Sequence, residues 1–119
     1  MGLDMYAFSV PEGTTLEDNE DKCELAYWRK FNALHGWMEE LYRRRGGTET
    51  FNCVPVKLTS GDLDLLEQDI GANALTPVEG FFFGEQTIYP EDVEATKQFI
   101  ADAREQIADG RDVYYDSWW

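Results

Sequence analysis

His35 is the only histidine among 119 residues. Asn32 stands three positions before it, and Trp28 four before that. On a helix these steps bring all three side chains to one face. An imidazole there is chemically equipped to act as a general base, provided that one nitrogen reaches a substrate and a partner orients the other. Asp4 and Asn32 are the candidates for that orienting role. The more ordinary role for a lone histidine at the edge of an apolar stripe is that of a boundary residue hydrogen-bonded to backbone. Trp28, Arg29, Lys30 and Trp37 add stacking surfaces and anion-binding groups of the kind that hold a nucleotide. Consecutive helical residues diverge by about 100°, however, so Arg29 and Lys30 cannot both face where Trp28 faces. No nucleophile elbow, phosphate loop, dinucleotide fingerprint or HExxH is present. Cys23, Cys53 and His35 match no zinc spacing, and the two cysteines read as free thiols of a reducing compartment. No catalytic residue, metal or cofactor is therefore expected.

A second set of residues points to a different chemistry. Glu91, Glu94, Asp102, Glu105 and Asp109 recur at helical spacing on one face, away from an apolar row of Val93, Thr96, Ile100, Ala103 and Ile107. The net charge is −14 and it is unevenly spread. Residues 1–59 carry ten acids and seven bases, whereas residues 60–119 carry fourteen acids and three bases. Such a balance disfavours direct contact with nucleic-acid phosphates and favours a partner with a basic surface. Imitation of nucleic acid is restrained by magnitude. Five charges over roughly 27 Å of helix amount to about one per 5 Å, against one per about 1.7 Å of duplex. The stripe would need the acids of residues 12–21 and 62–69 beside it, and a solvated helix face is its plainer role.

The elements that must position these groups follow from hydrophobic period and punctuation. Residues 3–10 read as a strand with apolar groups on both faces. Residues 19–45 read as one long amphipathic helix, roughly 40 Å from end to end. Asp18 and Asn19 would cap it, and Arg43, Arg44, Arg45 and Gly46 would close it. Residues 51–58 look strand-like, and Pro55 either demotes that strand to an edge or makes the stretch a non-regular connector. Thr59, with Asp62 near the reciprocal capping position, opens a short helix carrying Leu63, Leu66 and Ile70. Gly80-Phe81-Phe82-Phe83-Gly84 suits a strand covered on both faces. Pro90 starts a helix running to about Asp109, with Gly110 ending it, and residues 112–119 form a last strand. The expectation is one α+β domain over residues 1–119, with one long central helix and two shorter helices packed on a three- or four-stranded sheet. No apolar run approaches the roughly 18 residues of a membrane span, and the start lacks a signal-peptide pattern.

Four stretches together carry a resemblance: Gly2-Leu3-Asp4-Met5-Tyr6; Tyr27-Trp28-Arg29-Lys30 with Asn32, His35 and Trp37; Gly80-Phe81-Phe82-Phe83-Gly84; and Tyr114-Tyr115 with Ser117-Trp118. In these the chain resembles a family of small proteins of unknown function found largely in tailed phages and prophages. The resemblance implies a phage or prophage origin and a role in the host cytoplasm during infection, and it implies no reaction. Three function classes follow: an enzyme using His35, a small-ligand or nucleotide binder using Trp28, Arg29, Lys30 and His35, and a cofactor-free binding protein that antagonises a host factor. The charge favours the third.

Overall fold

The computed structural model describes residues 3–14, 20–72 and 90–118. Strand β1 spans Asp4–Pro11, β2 Cys23–Arg29, helix α1 Asn32–Arg44, β3 Val56–Leu58, α2 Ser60–Gly71, α3 Pro90–Ala108 and β4 Arg111–Trp118. The strands form one antiparallel sheet in the order β2-β1-β4-β3. The expected α+β class is what the chain adopts, with three helices and a four-stranded sheet among the described residues.

One side of each strand supplies the core. Leu3, Met5 and Ala7, Trp28, Val56 and Leu58, and Val113 and Tyr115 share a single cluster with Leu34, Met38 and Leu41 of α1, Leu63, Leu66 and Ile70 of α2, and Phe99, Ile100 and Ala103 of α3. The helices therefore cover one face of the sheet. The alternate positions Asp4, Tyr6 and Phe8, Tyr27 and Arg29, and Tyr114, Asp116 and Trp118 point to the other face, as period-two side chains must. Apolar groups on both sides of β1 thus do not mean two covered faces; Tyr6 and Phe8 are half-buried against each other and Tyr27.

The long helix over residues 19–45 is corrected. Its first half is strand β2, which pairs with β1 from Asp4 opposite Arg29 to Ser9 opposite Cys23. Lys30 ends the strand in the left-handed region at φ 57°, while its N–H still donates to the Leu3 carbonyl at 2.9 Å. The chain turns at that corner, and only then does α1 begin. The expected caps at Asp18 and Asn19 lie outside the described residues. The far end follows the expectation: Arg43 and Arg44 occupy the last turn, and Gly46 takes φ 88°.

Elsewhere the local signals hold. Thr59 and Asp62 form a reciprocal capping box at the start of α2. The Thr59 N–H donates to Asp62 Oδ2 at 2.9 Å and the Asp62 N–H to Thr59 Oγ at 3.3 Å. Pro90 opens α3, and Gly110 follows its end at φ 80°. Pro55 shortens the edge strand to three residues, as a residue with no N–H must. The strand expected around Phe81-Phe82-Phe83 lies outside the described residues.

Candidate functional site

The residues singled out from sequence do not converge on one cleft. Trp28 points from β2 into the core, where its ring meets Phe99 edge-on at 5.3 Å between centroids. Its indole N–H donates to Thr96 Oγ at 3.0 Å, and that hydroxyl donates to the Asp92 carbonyl at 2.7 Å. A buried indole with its only donor satisfied is a packing residue.

His35, in the first turn of α1, is 5% exposed. Its Nδ1 lies 2.7 Å from the Tyr115 hydroxyl, and Phe51 packs on the ring at 5.1 Å. Burial lowers the imidazole pKa from 6.5 to about 4 and raises that of Tyr115 well above its usual value. Both groups are therefore neutral near pH 7, and the short contact is a neutral hydrogen bond between the imidazole and the phenol. The orienting partner is thus Tyr115, not Asp4. Nothing in the spacing of His35 indicated this. The alternation of Val113, Tyr115 and Ser117 in the last strand was the available signal that Tyr115 faces inward.

Asn32 is buried at the start of α1. Trp37, half-buried on α1, donates its indole N–H to Asp69 Oδ2 of α2 at 2.7 Å, which ties the two helices together. Lys30 is the turn residue described above. Asp4 and Arg29 stand opposite each other in the β1–β2 register, on the face of the sheet away from Trp28 and His35. Asp4 accepts a 2.6 Å hydrogen bond from the Tyr27 hydroxyl, which raises the Tyr27 pKa. The helical face expected to unite Trp28, Asn32 and His35 is replaced by a strand, a corner and a helix. Trp28 engages α3, and His35 engages β4.

The acidic stripe survives intact as a helix face. Glu91, Glu94, Glu105 and Asp109 are exposed, and Asp102 is half-buried and accepts from Gln98 at 3.0 Å. The acids of α2 do not extend it. Arg104 of α3 reaches Asp64 at 2.7 Å and Glu67 at 2.9 Å, holding the Glu67 carboxyl below its usual range. Asp62 is engaged by Thr59 and Arg45. Burial would push its carboxyl up, but the Thr59 N–H, Arg45 and the Thr59 hydroxyl together hold it down.

A shallow recess of about 300 Å³ lies at the end of α1, between Tyr42, Gly46, Gly47 and Lys57. Its cations are already engaged: Arg45 bonds Asp62 and the Lys57 carbonyl, and Lys57 pairs with Asp112 at 3.4 Å. Arg45 thus serves the fold, and Arg43 pairs with Glu39 at 3.3 Å. Among the described residues no group of three His, Cys, Asp or Glu side chains is placed to hold a metal ion. Cys23 and Cys53 are exposed free thiols. No described helix is long and apolar enough to cross a membrane. Comparison with protein-family models, curated proteins and solved structures returned no match.

Proposed function

We propose that the protein acts by binding another protein that presents a basic surface, and that the partner is a host factor which it modulates or blocks during infection. The observation that carries this is the exposed face of α3. Glu91, Glu94, Glu105 and Asp109 line the side of a helix whose opposite side, Thr96, Phe99, Ile100 and Ala103, is buried. A rigidly docked helix fixes these charges in space, which favours fast, orientation-selective encounter with a positive patch. The phage resemblance makes the host cytoplasm the place of action. The small-ligand alternative draws no comparable support, because Trp28 Nε1 and His35 Nδ1 are engaged by Thr96 and Tyr115. Arg104 offsets one of the two charges of its α2 neighbours Asp64 and Glu67, so the density of negative charge beside α3 stays low. That makes the α3 face a matching surface for a protein patch rather than a copy of a duplex.

The test is capture of partners from bacterial host lysate at about 50 and 200 mM salt, a range over which charge-driven association weakens steeply. A partner retained at low salt and lost at high salt is the expected result. A partner held equally at both would remove the electrostatic basis.

A further inference from the structure

We draw no further inference here: the strongest candidate, the shallow recess at the end of α1 lined by Tyr42, Gly46, Gly47 and Lys57, has its cations Arg45 and Lys57 already paired with Asp62 and Asp112, and nothing in the structure shows what would occupy it.

Discussion

At the scale of single residues, the polar groups that looked most chemical hold the interior together. His35 illustrates the cost. Its imidazole is buried neutral with a pKa of about 4, against 6.5 when exposed. The unfolded chain therefore binds a proton that the folded chain refuses as the pH falls below 6.5. Stability is full above that value, declines by about 1.4 kcal/mol per unit below it, and levels off near pH 4. Urea denaturation at pH 8 and pH 5 should differ by about 2 kcal/mol from this group, and His35→Gln should remove most of that slope. Equal stability at both values would contradict the neutral His35–Tyr115 pair. Lys30 gives a second test. A left-handed lysine carries a steric cost of about 1 kcal/mol that glycine avoids. Lys30→Gly should therefore raise stability by about 0.5 kcal/mol after the extra unfolded-state entropy, measured by the same denaturation. Loss of stability would instead assign the Lys30 side chain a contact of its own. His35 was visible in the sequence as a residue to question, but its partner was not. Tyr115 lies 80 positions away, and only the register of β4 against β1 brings it there.

At the scale of elements, what could be read depended on whether a signal was local. The Thr59–Asp62 box, Pro90 at the head of α3, Gly46 and Gly110 after helix ends, and the edge imposed by Pro55 are decided within a few residues of chain, and each stands where the sequence put it. The failure at β2 has an equally local cause. Tyr27, Trp28, Phe31 and Leu34 sit at steps of one and three, which satisfy a helical stripe, yet Tyr27 and Trp28 face opposite sides of a sheet. The corner that separates strand from helix is made by a lysine, where glycine would have announced a left-handed turn. Pairing with β1 then outweighs the helical propensity of the segment, since tertiary contacts routinely override such small preferences. At this scale Thr59→Ala should cost about 1 kcal/mol by removing one arm of the capping box. Thermal denaturation would register this as a lowered Tm. An unchanged Tm would mean that Asp62 and Arg45 secure the start of α2 without it.

At the scale of the whole molecule, the three helices among the described residues pack on one face of the sheet, while charge is distributed separately from that packing. The excess of acids in the second half of the chain was plain from composition, as was the stripe on α3. What composition could not show is that Arg45 holds Asp62 in the fold and that Arg104 pairs at the surface with Asp64 and Glu67. The proposed partner-binding potential is thus concentrated on the exposed face of α3. The decisive experiment on that face reverses Glu91, Glu94, Glu105 and Asp109 together to Lys and measures the Kd for the captured partner by titration calorimetry. All four are exposed, so the fold should persist, as circular dichroism can verify. The account predicts at least a tenfold weaker Kd for the variant at about 50 mM salt and a much flatter salt dependence than the parent's. An unchanged Kd with an unchanged salt dependence would contradict it.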